Sequence, residues 1–184
     1  MVFKFAINED GVLVKAEPAD GTGVDIPDGV RNISDGEFCA PVELKEVTIP
    51  DNVWCIGDNA FARCDWMVGV KIPGTVKCIG NMAFYDCYSL TYVTMPDGVT
   101  SIGDDAFVDC NLLANVEFSK CLTNIGDRAF AWCESLSEVS IPGSVTMIGD
   151  RAFYGCGADL VIHAPAGSFA ERYAAENDIK FKVI

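Results

Sequence analysis

The sequence predicts an α/β solenoid of 23-residue coils, with a parallel β-sheet on the concave face and short helical turns on the convex face. Three observations carry that prediction. Phe38, Phe61, Phe84, Phe107, Phe130 and Phe153 are spaced by 23 residues throughout. Proline and Ile-Gly columns keep the same period, as at Pro73 and Ile79-Gly80, then Pro96 and Ile102-Gly103. Between them, stretches such as Leu90-Thr91-Tyr92-Val93-Thr94-Met95 alternate apolar and polar residues, the mark of a half-buried strand with Val93 and Met95 inward. A unit of this kind buries its apolar side only against its neighbours, so the coils must stack.

The chain divides into three stretches, expected to form one structural domain. Residues 1–25 do not fit the period. Two β-rich runs there flank the turn cluster Asn8-Glu9-Asp10-Gly11 and predict an N-terminal β-hairpin that covers the first coil. Residues 26–165 carry the array of about six coils. Each opens on an apolar residue, and proline follows in every copy but one, where Ser119 stands. Proline ends a strand because it fixes φ and lacks the ladder donor. The glycine after each repeat isoleucine predicts a backbone angle or a close approach that a Cβ would block. Asp35, Asp58, Asn81, Asp104, Asp127 and Asp150 then stand just ahead of the Phe column. They predict N-caps for single helical turns, on which Phe and Cys, three residues apart, face the interior. At the ~4.8 Å spacing of paired strands, the rod is roughly 30 Å long.

In residues 166–184 the period stops. Ser168-Phe169-Ala170-Glu171 is a capping box, and Phe169, Ala170, Tyr173 and Ala174 share one helical face. Asn177 is a stop signal, and Ile179-Lys180-Phe181-Lys182-Val183 reads as a short strand. This helix and strand form the C-terminal cap, and two capped ends predict an array that folds by itself.

The segment Leu90-x-x-Val93-x-Met95 matches the strand part of a leucine-rich repeat. The usual asparagine ladder is missing, and Pro-x-x-Val-x-x-Ile-Gly-x-x-Ala-Phe-x-x-Cys fills the convex half instead. In that unit the chain resembles the BspA-like leucine-rich repeat family, over about residues 26–165. The resemblance implies a leucine-rich-repeat solenoid from a bacterium. Known members are mostly cell-surface or secreted proteins that adhere to host matrix proteins or other microbes. This sequence shows no export signal or anchor, which leaves a protein-binding scaffold as the broader expectation. If Met1 is the natural start, the chain is cytoplasmic or leaves by another route; if a signal was removed, it is surface-bound or secreted.

Charge narrows the partners. Lysine and arginine number 13 against 27 acidic residues, a formal charge of −14 with no basic cluster. Nucleic acid and anionic membrane surfaces are therefore not expected. No apolar run approaches the ~20 residues that a membrane helix needs.

Nine cysteines cannot all pair within the chain. Cys64, Cys87, Cys110, Cys133 and Cys156 keep the 23-residue period and read as reduced core thiols. Cys55 and Cys78 share a column one coil apart, and their parallel side chains predict two free thiols. No C-x-x-C pair exists, so no metal or cofactor is expected. Capping accounts for each Asp of its column better than calcium does. Asn32-Ile33-Ser34 matches a glycosylation acceptor by pattern only. His163, the single histidine, reads as a surface side chain with no triad around it, and the chain as no enzyme.

Function is expected where the unit varies. The outward positions of the concave sheet include Lys71, Tyr92, Asn115, Glu117 and Glu138, and these are candidate partner-binding residues. Trp54, Trp66 and Trp132 also break their columns; exposed aromatics favour interfaces, the alternative being that each lies flat over neighbouring stems. The sequence thus predicts a monomeric, non-catalytic interaction module for a protein or glycan. A structural spacer and a hydrolase on the same rod are the alternatives.

Overall fold

The structure, a computed structural model, describes residues 4–17, 23–33 and 44–184. Asp35, Phe38 and Cys39 lie outside the described residues. The chain opens on an antiparallel hairpin, β1 (Lys4–Ile7) and β2 (Val12–Glu17). Its turn is held by Asn8 Oδ1, which accepts the Asp10 and Val12 N–H groups at 3.0 and 2.9 Å. The hairpin is continuous with the rod: Val12 and Leu13 pair in parallel with Asn32 and Ile33, and Leu13 is fully buried. Parallel pairing thus begins ahead of Ile26, where the sequence period starts. A ladder asks only for extended backbone, not for the proline and Ile-Gly of the repeat.

From there each coil contributes two strands. On the concave face, β3 (Gly23–Asp25), β5 (Glu46–Thr48), β7 (Gly69–Lys71), β9 (Tyr92–Thr94) and β11 (Asn115–Glu117) form a five-stranded sheet. The same face continues as β13 (Glu138–Ser140), β15 (Val161–Ala164) and β16 (Lys180–Val183). Two-residue strands, β4 (Asn32–Ile33), β6 (Cys55–Ile56), β8 (Cys78–Ile79), β10 (Ser101–Ile102), β12 (Asn124–Ile125) and β14 (Met147–Ile148), extend the hairpin into a second, eight-stranded sheet. The concave sheet breaks between β11 and β13, in the coil where Ser119 replaces proline. There Val116 is only half-buried, and Phe118 turns edge-on to Phe130 at 5.5 Å.

The core is a column of rings. Phe61, Phe84, Phe107, Phe130 and Phe153 stack with successive centroids 5.3, 5.1, 5.0 and 5.4 Å apart. Beside them the thiols of Cys87, Cys110, Cys133 and Cys156 donate to the carbonyls of Phe61, Phe84, Phe107 and Phe130, at 3.1–3.2 Å. Each thiol therefore packs and also satisfies a carbonyl of the previous coil. These four cysteines are free, as is the exposed Cys121. The expectation for Cys55 and Cys78 is corrected, because the two are joined by a disulfide. Their strands pair in register, which sets the Cα atoms 5.0 Å apart, inside the range a bridge allows.

The convex arc also departs from expectation. It carries turns, not helix. Two residues per arc, four apart, take left-handed backbone angles: Met82 and Asp86 at φ 53° and 59°, then Arg128 and Trp132 at 49° and 62°. That alternation turns N–H groups along the rod, so each arc donates to the next, as from Arg128, Phe130 and Trp132 to the carbonyls of Asp150, Ala152 and Tyr154. Among the described residues, the repeat carboxylates bond the next coil instead of capping their own turn. Asp104 Oδ1 accepts the Asp127 N–H of the next coil at 2.8 Å, and Asp127 Oδ1 accepts that of Asp150 at 2.8 Å. Asn81 holds Asp104 in the same way, which is why an amide can interrupt the column. The glycine serves close approach: a Cβ on Gly126 would stand 2.5 Å from Gly103 C and from Asp104 Oδ1.

The C-terminal helix α1 (Phe169–Glu176) has the expected cap. Ser168 Oγ accepts the Glu171 N–H and the Glu171 carboxylate accepts the Gly167 N–H. Ala170, Tyr173 and Ala174 are buried, and the Tyr173 ring meets Phe153 edge-on at 6.1 Å. Among the described residues, no helix is long and apolar enough to cross a membrane.

Candidate interaction surface

The concave strands from β3 to β13 are three residues long, and the middle one, such as Val47, Val70, Val93 or Val139, points into the core. The residues on either side must then face out, because side chains alternate along a strand. Glu46, Thr48, Lys71, Tyr92, Thr94, Asn115, Glu117 and Glu138 are all exposed on this face. Register pairing lines them up across the coils as Gly69, Tyr92 and Asn115 in one row, with Lys71, Thr94 and Glu117 in the other.

The relief of this face comes from one missing side chain. A Cβ on Gly69 would lie 2.5 Å from the ring of Tyr92. The Tyr92 ring therefore lies down across the glycine of the neighbouring coil while half of the residue's surface stays in solvent, at 50% exposure. Next to it is a hollow of about 270 Å³, walled by Lys45, Glu46, Thr48, Lys71 and Tyr92. Lys71 and Thr48 also line a second, wider hollow of about 770 Å³ together with Asp25, Asp28 and Asp51. Lys71 thus stands between an aromatic wall and an acidic one.

The structure brings Lys71 and Tyr92 together, with Asn115 and Glu117 one coil further on. Glu138 lies across the break in the sheet, where its Oε2 is 3.4 Å from His163 Nε2. His163 is more buried than a surface side chain, with 19% of its side chain exposed. Its Nε2 makes no hydrogen bond among the described residues, so Glu138 comes near it without bonding it. The three tryptophans do not converge. Trp54, 50% exposed, precedes β6 on the eight-stranded side; Trp66, 52% exposed, lies on the bend leading into β7. Trp132 lies on the convex arc, packed over Gly155 and edge-on to Tyr154 at 5.1 Å. Lys45 was not singled out by the sequence, and Gly69 stood among the outward positions of the sheet without being a candidate for binding. The signal for Gly69 was present, as a glycine interrupting the outward row between Glu46 and Tyr92.

The model of the BspA type leucine rich repeat region matches this chain in six copies, over residues 20–112 and 55–166. Among solved structures, a leucine rich repeat protein of T. pallidum is 28% identical, with a TM-score of 0.68 over 88% of this chain and 68% of its own. A leucine rich cell surface protein from Faecalibacterium prausnitzii is 31% identical, with a TM-score of 0.63 over 88% of this chain and 52% of its own. The pneumococcal vaccine antigen PcpA, 19% identical, has a TM-score of 0.70 over 90% of this chain and 48% of its own, a likeness of fold alone. The chain thus spans between 48% and 68% of the length of these three. No curated protein sequence matches it.

Proposed function

Because the chain belongs to the BspA-type leucine-rich repeat family, we propose that it is a non-catalytic interaction module that binds a protein partner through its concave sheet. The observation that supports this most is the hollow over Gly69, with the Tyr92 ring and Lys71 as its walls. A hollow with one flat aromatic and a few charged groups suits a protruding side chain of a partner, since aromatics in partly enclosed positions dominate protein interfaces. The side chains of Lys45, Glu46, Thr48, Lys71 and Tyr92 around the hollow are exposed and lie outside the core. The F. prausnitzii relative is described as a cell surface protein, which favours a surface partner, a host matrix protein or another microbe among them.

The test is affinity capture with the wild-type chain and a Tyr92→Ala/Lys71→Ala variant. Capture lost in the variant, with thermal stability retained, supports the concave face. Equal recovery by both overturns it. Running the same pair on a glycan array separates a carbohydrate ligand from a protein one.

A further inference from the structure

The two ends of the rod are closed by different means, and the C-terminal closure is incomplete. In four successive arcs, beginning at Asn59, Met82, Asp105 and Arg128, three alternate N–H groups donate to carbonyls of the next coil at 2.7–3.1 Å. The last arc has the corresponding donors at Arg151, Phe153 and Gly155, and Arg151 and Gly155 keep the left-handed angles, φ 53° and 71°. Phe153 N–H reaches the hydroxyl of Tyr173 at 3.4 Å. Arg151 N–H and Gly155 N–H have no acceptor among the described residues.

The cause is the cap itself. One period beyond Arg151 and Gly155 the chain is at Ala174 and Asp178, where it is helix and helix end instead of a further arc. A helix points its carbonyls along its own axis. Those of Tyr173 and Ala174 are accordingly taken by the N–H groups of Asn177 and Ile179. The helix covers the Phe153 ring and leaves a cleft of about 260 Å³ beside the open donors, lined by Cys156, Tyr173, Asp178 and Lys180 among others.

We propose that this open end of the arc ladder binds a polypeptide segment of a partner protein, whose carbonyl oxygens take the Arg151 and Gly155 N–H groups as the two outer bonds of a further arc, while Tyr173 keeps that of Phe153. The two open donors stand four residues apart, the spacing of the outer two donors in each of the four arcs that bond to a following coil, and the middle place is taken here by the Tyr173 hydroxyl. A free anion is the wrong occupant. Arg151 and Lys180 line the cleft together with Asp159 and Asp178, so it has no net charge, and Lys180 is already bonded to Asp159. Neutral main-chain acceptors suit it. An unpaired ladder edge is also the feature through which strands recruit other chains.

The experiment follows the amides of the full, ¹⁵N-labelled chain. The probe is the acetylated, amidated peptide GDRAFAWSES, the arc of residues 126–135 with serine in place of Cys133. In the free protein, Arg151 and Gly155 amides should exchange with water at least ~100-fold faster than those of Arg128 and Trp132. Saturating peptide should shift both signals and slow their exchange at least tenfold, leaving Tyr92 and Lys71 unmoved. Ala158→Trp, a change at an exposed position in the cleft lining, should weaken the peptide at least tenfold. The proposal is overturned if the two amides are already protected, if peptide leaves them unmoved, if acetate alone reproduces the shifts, or if Ala158→Trp binds as wild type does.

Discussion

The convex arc and the concave sheet stack the same coils, yet only the arc runs unbroken. Across the coil that carries Ser119, the concave sheet parts between Glu117 and Glu138, while the arc still donates from Asp105, Phe107 and Asp109 to Asp127, Ala129 and Ala131. The arc has four supports per coil: an N–H ladder, a carboxylate or amide bridging to the next coil, a thiol on a carbonyl, and a stacked ring. The sheet has a short ladder and one inward valine. The arc's residues repeat because the arc holds the rod, and the sheet's outward residues do not because the sheet is free to vary.

Removing a ring from the arc should cost more than removing any side chain of the sheet. Phe107 is fully buried between two stacked neighbours, so Phe107→Ala should cost about 3–5 kcal/mol in urea unfolding. Val116→Ala, on the half-buried concave strand, should cost about 1 kcal/mol. Similar midpoints for the two would mean that the arc is not the spine.

Glycines give the next contrast. Gly126→Ala drives a Cβ into the Gly103–Asp104 backbone, and about 1–3 kcal/mol of destabilisation is expected from such overpacking. Gly74, in the loop after β7, would meet nothing within 4 Å, so Gly74→Ala should be neutral or stabilising by up to ~1 kcal/mol. Equal losses at the two glycines would mean that close approach in the arc is not what the column preserves.

The thiols tie the arc to pH. Burial pushes Cys156 up to about 12 from its ordinary value of 9.0, and raises Cys110 and Cys133 as well. The folded state therefore holds protons that the unfolded chain loses. The stability they bring is fully present below about pH 9 and is lost as pH rises towards 12. Each such thiol steepens the alkaline loss by up to ~1.4 kcal/mol per pH unit. Cys156→Ala should flatten that slope in denaturation series run across this window, and an unchanged slope would show that the thiol titrates freely. At pH 8, iodoacetamide should modify the exposed Cys121 in the native chain and spare Cys156.

Much of this was legible because stacking repeats a requirement at every coil. Phe84 and Cys87 announce a ring column and a thiol column by period alone, and Gly126 announces close contact. What was hidden depends on the neighbouring coil. A carboxylate bonding one period ahead looks locally like an N-cap, as Asp104 did, and nothing in the identity of Met82 or Trp132 signals a left-handed backbone. Their angles are imposed by the ladder, at about 1–2 kcal/mol per residue, and the inter-coil bonds offset it. The outward row was legible as a row, and Tyr92 with it. The scattering of the tryptophans over three faces was not, because a broken column says that a residue varies and not where its neighbours point.

On the concave sheet, losing an outward side chain should cost almost nothing in stability. Tyr92 rests on Gly69 with its ring, makes no ladder bond through its side chain, and is half in solvent. Tyr92→Ala should change unfolding free energy by no more than ~0.5 kcal/mol, as exposed positions away from special contacts do. Gly69→Ala is the sharper probe: its new methyl would occupy the position of the Tyr92 ring, lift the ring off the sheet and fill the hollow, with the strand backbone left in place. If the concave face is the working surface, both variants should unfold like wild type and both should lose the captured partner. A marked loss of stability in Tyr92→Ala would instead make the ring a structural cover for Gly69, one more stacking residue, and would move the search for the working surface off the sheet.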